Sequence, residues 1–143
     1  MDKWVTYALI SMVFAGFTSV IAKLGLSGIS GELGLAVRTL FVAFFVLGFA
    51  ALFVKPADIG LLTPVNYFWL GLSGVTTAAS WIFYYKALKD GEVSTVALID
   101  KGSFIVAVLL AAVILKEQIT ARVLVGCVLI ATGLLVVAHR PAG

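Results

Sequence analysis

Long apolar runs, separated by short polar breaks, dominate this sequence. Each run holds about 20 mostly apolar residues, which is the length that an α-helix needs to cross the hydrocarbon core of a bilayer. The breaks contain charged or helix-breaking residues, at Lys23 and the glycines after it, at Lys55 and Pro56, at residues 86–92, and at Lys116. The pattern predicts five transmembrane helices, at residues 4–22, 33–54, 67–85, 93–115 and 120–138.

The composition favours a membrane protein built only from helices. Of the 143 residues, 62% are hydrophobic and 12% are charged, whereas a soluble domain carries about 25% charged residues. The runs are continuous, while the strands of a β-barrel would alternate apolar and polar residues. Short loops make successive helices antiparallel neighbours. We therefore expect an all-α, multi-pass protein of the cell inner membrane, with the first run retained as a helix rather than cleaved as a signal peptide.

Several classes of function lack the residues that they need. The single cysteine, Cys127, cannot form a disulfide within the chain, and no cluster of histidine and acidic residues offers a metal site. The sequence has no phosphate-binding loop, no catalytic nucleophile–histidine–acid set and no basic stripe for nucleic acid. We expect no enzyme activity, no cofactor, no metal and no nucleic-acid partner. The expected partners are the lipid bilayer and a small-molecule substrate.

Lysine and arginine are divided almost equally between the two predicted sides of the membrane. Orientation normally follows an excess of these residues on the cytoplasmic side. One side holds Lys3, Lys55, Lys116 and Arg122, and the other holds Lys23, Arg38, Lys86, Lys89 and Arg140, with Lys101 deeper. Either the weak difference between the two sides is noise in a small number of residues, or the chain inserts both ways and pairs with an inverted copy of itself. Transporters often place such inverted repeats around a site near the midplane.

Four charged residues are predicted to meet at one end of the bundle, although charges within a membrane are costly. Arg38 lies early in the second helix, Asp100 and Lys101 lie in the fourth, and Lys23 ends the first. They could form a substrate or proton site. Alternatively, Lys23 and Arg38 extend to the headgroups, and Asp100 pairs with Arg38 or with Lys101 of a neighbouring helix only to lock the helices together. Because adjacent residues point in different directions on a helix, we expect Asp100 and Lys101 to face different surfaces.

Small, hydroxylated and aromatic residues form stripes that lead toward these charges. In the first helix the stripe includes Ser19, and in the third it runs through Thr77, Trp81 and Tyr85 at a spacing of four, with Tyr84 beside it. Such stripes usually indicate close helix packing, but they also suit a narrow polar path with aromatic walls. The expected substrate-binding residues are Arg38, Asp100, Lys101, Lys23, Ser19, Thr77, Trp81 and Tyr84.

The fifth predicted helix has no polar lining and carries two glycines seven residues apart. Gly126 and Gly133 share a face, and their small size lets another backbone approach closely. Leu129 and Ile130 lie between them. This pattern predicts an association surface formed by Gly126, Leu129, Ile130 and Gly133, rather than part of a substrate path.

Several of these segments resemble the repeat unit of the drug/metabolite transporter superfamily, EamA-type. The segments are ALKDGEVSTV at residues 87–96, Glu117 after the fourth helix, GCVLIATG at residues 126–133, and FAGFTSVIAKLGL followed by LAVRTL near the start. Full-length members carry two inverted five-helix units, whereas this chain has one. The resemblance therefore implies a half-size protein, which an antiparallel homodimer would complete to ten helices.

The glycine pattern of the last helix also resembles the dimerising helix of the small multidrug resistance exporters. In those exporters an intramembrane glutamate of the first helix binds both protons and cationic substrates. The first predicted helix here has no such acid, so that mechanism of cation export is not expected.

The leading hypothesis is a secondary transporter for a small organic metabolite or drug-like solute, working by alternating access as a dual-topology dimer. Arg38 and Lys101 would hold an anionic or zwitterionic group, and Asp100 would respond to protons. One alternative is a translocase for a lipid or a lipid-linked carrier. Another is a non-transporting membrane subunit that assembles with a partner.

Overall fold

The computed structural model describes residues 3–138, which fold into α-helices joined by short connections. No strand occurs within this range. The helices are α1 Lys3–Gly25, α2 Gly31–Phe53, α3 Pro56–Ile59, α4 Pro64–Asp90, α5 Val93–Lys101, α6 Ser103–Ile114 and α7 Ala121–Ala138. The prediction of an all-α protein is confirmed for these residues.

Each predicted transmembrane run contains a helix, but several bounds differ: α1 continues to Gly25, α4 begins at Pro64, and the short α3 was not predicted. The third predicted helix was expected to end near Tyr85, whereas α4 continues to Asp90. Burial explains the extension, because Leu88 in this last turn is fully buried and its packing outweighs the charged residues beside it. The fourth predicted helix is divided into α5 and α6 at Gly102, where the Gly102 N–H donates to the Ile99 carbonyl at 2.9 Å.

Within residues 3–138, three helical stretches are long and apolar enough to cross a bilayer: Lys3–Gly25, Gly31–Phe53 and Val93–Ile114. The apolar stretch Ala121–Val137 is shorter. Helix α4 has 27 residues, but serines, threonines and an asparagine lower its apolar character. The chain therefore has the helices of a multi-pass membrane protein, and the count of five spans stays a prediction.

Local signals at the helix ends explain where the chain turns. Ser30 caps α2, since its Oγ accepts a hydrogen bond from the Leu33 N–H at 3.2 Å. Gly28 precedes this cap with φ of 75°, a conformation that glycine adopts without steric cost. After α6, Lys116 adopts φ of 55°, and the Glu117 N–H donates to the Ala111 carbonyl at 3.2 Å. Lys116 thus ends α6 in the left-handed conformation that normally favours glycine.

The backbone forms two compact units. The central unit is Ile21–Asp90, and the terminal unit joins the described residues of 1–20 and 91–143. In the terminal unit α5 packs against α7. A side-chain carbon at Gly102 would lie 3.3 Å from the Leu134 Cδ1, so this contact leaves little room at the end of α5.

In the central unit α2 packs against α4, and this pair positions the candidate site. Leu26, Tyr85 and Leu88 are buried there. A side-chain carbon at Gly31 would lie 2.9 Å from the Tyr85 carbonyl oxygen, closer than packed atoms tolerate. Gly31 therefore lets the start of α2 touch the backbone of α4, and this contact fixes the register of the two helices.

Candidate functional site

The guanidinium of Arg38 lies over two aromatic rings of α4. Its Cζ is 4.3 Å from the centroid of the Trp81 ring and 5.6 Å from that of Tyr85. Both distances are within the range of cation–π attraction, which strengthens where water is excluded. Because Trp81 and Tyr85 are four residues apart on one helix, they present adjacent rings to the same cation. The packing of α2 on α4 therefore creates an aromatic cradle, which consists of Trp81 and Tyr85.

One nitrogen of this guanidinium has no hydrogen-bond partner. The Arg38 Nη1 is buried, yet no acceptor lies within reach among the described residues. In the central unit the acid nearest in sequence, Glu32, pairs instead with Lys86 at 3.3 Å between Oε1 and Nζ. A buried donor without an acceptor costs about 1–3 kcal/mol. The arrangement therefore holds a positive charge with unused hydrogen-bonding capacity.

A groove of about 540 Å³ opens between α2 and α4 beside the cradle, and Trp81 belongs to both. Its walls are mostly apolar. The Thr77 hydroxyl donates to the Ser73 carbonyl at 2.8 Å, and the Thr39 hydroxyl donates to the Leu35 carbonyl at 2.8 Å. Their oxygens can accept, but their hydrogens are already used. The groove is lined by Leu35, Thr39, Leu70, Ser73, Gly74, Thr77, Ala78, Trp81 and Ile82.

Lys23 binds the end of α4. Its Nζ donates to the carbonyl of Leu88 at 2.6 Å and to that of Lys89 at 3.0 Å. Lys89 in turn donates from its Nζ to the Leu26 carbonyl at 3.1 Å. These carbonyls lie at helix ends or in the following turn, where intrahelical donors run out. The two lysines, Lys23 and Lys89, form a reciprocal clasp, and a substrate-binding role for Lys23 stays a prediction.

Asp100 and Lys101 are paired with each other in the terminal unit, with 3.6 Å between Asp100 Oδ2 and Lys101 Nζ. The expectation that these neighbours face different surfaces is wrong for their charged atoms. The reason is local: α5 ends at Lys101, so the long side chain can reach the preceding carboxylate. This ion pair lies within one helix, so it differs from the alternative in which Asp100 pairs with Lys101 of a neighbouring helix.

The structure places five of the predicted substrate-site residues in the central unit: Lys23, Arg38, Thr77, Trp81 and Tyr84. Arg38 contacts Trp81, Thr77 lines the adjoining groove, and the Tyr84 ring meets that of Tyr85 edge-on at 6.2 Å between centroids. Tyr85 was on the predicted stripe but was not assigned to the site. Its spacing of four from Trp81 was the signal that could have included it.

Ser19 and the predicted association face belong to the terminal unit. Ser19 is buried, and its hydroxyl donates to the Ala15 carbonyl at 3.3 Å. On α7, a side-chain carbon at Gly126 or Gly133 would meet no atom within 4 Å, and Leu129 and Ile130 are exposed. Arg140, which entered the count of basic residues, lies outside the described residues.

Comparison with known proteins gives the family of the chain. The EamA-like transporter family matches residues 2–138. The chain belongs to the EamA-like transporter family. This EamA-like protein is also 33% identical, over 140 residues, to a Sinorhizobium sp. protein named "Uncharacterized transporter in cobO 3'region". The alignment covers 96% of the present chain and 97% of that relative. No solved structure gives a significant match.

Membership of the EamA-like family confirms the resemblance found in the sequence and makes the chain a membrane transporter. Among the described residues, no group of three or more histidine, cysteine, aspartate or glutamate side chains is placed to hold a metal ion. The charged side chains of this EamA-like transporter that make contacts in the central unit include Arg38, the clasp of Lys23 and Lys89, and the pair of Lys86 with Glu32.

Proposed function

We propose that the chain is a secondary transporter that moves a small organic metabolite or drug-like solute across the inner membrane by alternating access. The observation that carries this proposal is the Arg38 guanidinium, which lies over Trp81 with its Nη1 buried and without an acceptor. A cation at membrane depth usually belongs to a substrate or ion pathway. The groove beside Trp81 offers space for the rest of a solute.

The three charged groups take different roles in this proposal. Arg38 in the central unit and Lys101 in the terminal unit each provide a cation for an anionic or zwitterionic group of the substrate. Asp100 exchanges a proton as the transporter changes state. The Asp100 carboxylate lies 3.6 Å from the Lys101 ammonium, and this proximity supports coupled roles for the two groups.

The working unit in this proposal is an antiparallel homodimer of chains inserted in opposite orientations. The even division of lysine and arginine supports insertion both ways. The open face at Gly126 and Gly133 supports association through α7. Two inverted chains would supply two copies of each helix around one path, as inverted repeats do within longer transporters.

Transport by purified protein in sealed vesicles tests the proposal. Vesicles loaded with a pH-sensitive dye are exposed to panels of small carboxylic acids, amino acids and organic amines. A solute-dependent pH change that is lost in Asp100→Asn, but kept in the control Asp58→Asn in α3, would support the proposal. Proton-coupled transport that is unchanged in a well-folded Asp100→Asn variant would overturn the role of that carboxylate.

Translocation of a lipid or a lipid-linked carrier is a second candidate, which a different groove favours. About 390 Å³ of open space on α2 has almost only apolar walls, suited to an acyl chain. It is lined by Val37, Leu40, Phe41, Phe44 and Phe45. A translocase would move a labelled lipid between leaflets and show no uptake of polar solutes. Inactivity in both assays, with Arg38 and Asp100 freely replaceable, would instead indicate a non-transporting subunit.

A further inference from the structure

The geometry around Arg38 indicates the shape of the ligand group as well as its charge. The Cζ atom of its guanidinium lies 4.3 Å from the centroid of the Trp81 ring. A guanidinium donates hydrogen bonds from its edges, in the plane of the group. The buried Nη1 has no acceptor among the described residues, so at least part of that edge is unused. The complementary ligand group is therefore flat, anionic and able to accept in the plane of the guanidinium.

The groove beside Trp81 indicates what the rest of that ligand is like. The Thr39 and Thr77 hydroxyls already donate to carbonyls of their own helices, so they add acceptors but no free hydrogen to the walls. The remaining lining is largely aliphatic and aromatic. At about 540 Å³ the groove falls within the usual range for small-molecule sites. An apolar body suits these walls better than one with several hydroxyl or amino groups.

The surrounding charges favour an acid over a zwitterion. Within the central unit, the Glu32 carboxylate is paired with Lys86, and no carboxylate lies among the groove residues. A ligand ammonium would therefore find no anionic partner in the groove. It would also be repelled by the Arg38 guanidinium.

We propose that the Arg38 edge, the Trp81–Tyr85 cradle and the α2–α4 groove bind a monocarboxylate with an apolar body. The carboxylate accepts from the Arg38 guanidinium, and the body lies in the groove against Trp81. This inference rests on the proposed function, since it names the substrate class of the same site. Charge-assisted hydrogen bonds are about twice as strong as neutral ones, so replacing the acid by its amide is expected to weaken binding about tenfold or more.

Trp81 itself can report binding. The chain has three tryptophans, so replacing Trp4 and Trp69 by phenylalanine leaves Trp81 as the only indole. This background protein, in lipid nanodiscs, is titrated with phenylpropionate, phenylpropionamide and phenylpropylamine. These probes share a body and differ in the polar group. We expect the acid to shift Trp81 emission at about tenfold lower concentration than the amide, and the amine to bind most weakly.

Substitutions at Arg38 distinguish the contribution of the ligand's polar group to binding from that of its apolar body. In Arg38→Gln the acid should lose its advantage over the amide, while amide binding stays similar. Arg38→Lys keeps the charge but loses the planar fork, so an intermediate preference is expected. Lys55→Gln removes a cation from the loop before α3 and should leave the preference unchanged. Ala78→Leu narrows the groove and should weaken acid and amide alike.

The outcomes distinguish this inference from the proposed function. Equal binding of acid and amide, or an acid preference that survives in folded Arg38→Gln and Arg38→Lys, overturns the inference. Transport of other solutes in the vesicle assay would then leave the proposed function standing. Conversely, tight and Arg38-dependent acid binding without transport of the acid or any other tested solute would uphold the binding site and overturn the transporter mechanism.

Discussion

Aromatic rings make the Arg38 charge tolerable inside an apolar segment. Its neighbours along α2 are mostly apolar, so much of its hydration must be replaced by protein groups. The Trp81 and Tyr85 rings supply part of that replacement at 4.3 Å and 5.6 Å. The sequence could predict that Arg38 needs a partner within the membrane. It could not identify the rings, because the register of α2 on α4 depends on the contact of Gly31 with the α4 backbone.

Lys23 should contribute more to stability than a lysine that only reaches the headgroups. Replacement by methionine keeps the apolar stem but leaves the Leu88 and Lys89 carbonyls without their side-chain donor. We expect Lys23→Met to lower the free energy of unfolding by about 1 kcal/mol. Thermal unfolding in detergent measures the change, with the exposed Lys3→Met at the other end of α1 as control. Equal, negligible effects would mean that the clasp does not stabilise the central unit.

Replacing Lys116 is predicted to raise the free energy of unfolding, whereas replacing Lys23 is predicted to lower it. Lys116 adopts φ of 55°, where a side chain costs about 1 kcal/mol relative to glycine. Lys116→Gly removes this cost but also gives the unfolded chain more conformational freedom, which opposes the gain. We therefore expect the free energy of unfolding to rise by only a fraction of about 1 kcal/mol. Lys55 adopts φ of −75°, so Lys55→Gly removes a lysine without relieving strain and should be neutral or destabilising. Stabilisation by both changes would point to charge rather than backbone conformation.

At the scale of elements, apolar run length was a sound guide to where the helices lie. It could not show the extension of α4 to Asp90, because the burial of Leu88 is a tertiary effect. Nor could it show the division at Gly102, since one glycine in an apolar run is compatible with a continuous helix. In the candidate site, too, the sequence indicates local features but not the contacts made by tertiary packing. Thr77, Trp81 and Tyr85 share a helical face by spacing alone, whereas Arg38 joins them only through packing.

The α2–α4 pair should depend strongly on Gly31. In Gly31→Ala the new carbon would lie 2.9 Å from the Tyr85 carbonyl oxygen, a backbone atom that cannot simply rotate away. We expect a loss of about 1–3 kcal/mol in the free energy of unfolding, typical of overpacking. Gly48→Ala on the same helix meets no atom within 4 Å and should be neutral or stabilising. Equal melting temperatures for the two variants would contradict the close contact.

At the scale of the whole molecule, the large exposed apolar surface must be covered by lipid or by a second chain. Substitution of the α7 glycines distinguishes contact with lipid from contact with a second chain. A side-chain carbon at Gly133 would meet no atom within 4 Å among the described residues, so we expect Gly133→Leu to leave the fold intact while blocking close approach of another helix. We expect the proposed dimer to weaken by about tenfold, corresponding to the 1–2 kcal/mol typical of helix contacts in membranes. Energy transfer between labelled chains measures this, with Gly48→Leu as control. An unchanged dimer would place the interface elsewhere.

The length of α2 links the Arg38 site to the thickness of the bilayer. Its 23 residues extend about 34 Å, slightly more than the roughly 30 Å of hydrocarbon in a typical membrane. Such hydrophobic mismatch is relieved by tilting. Because Leu35 and Thr39 of α2 form one wall of the groove, a change in tilt would alter its width. Trp81 emission should then differ between short-chain and long-chain phosphatidylcholine bilayers, and the surrounding lipid would act as a regulator of what this transporter can hold.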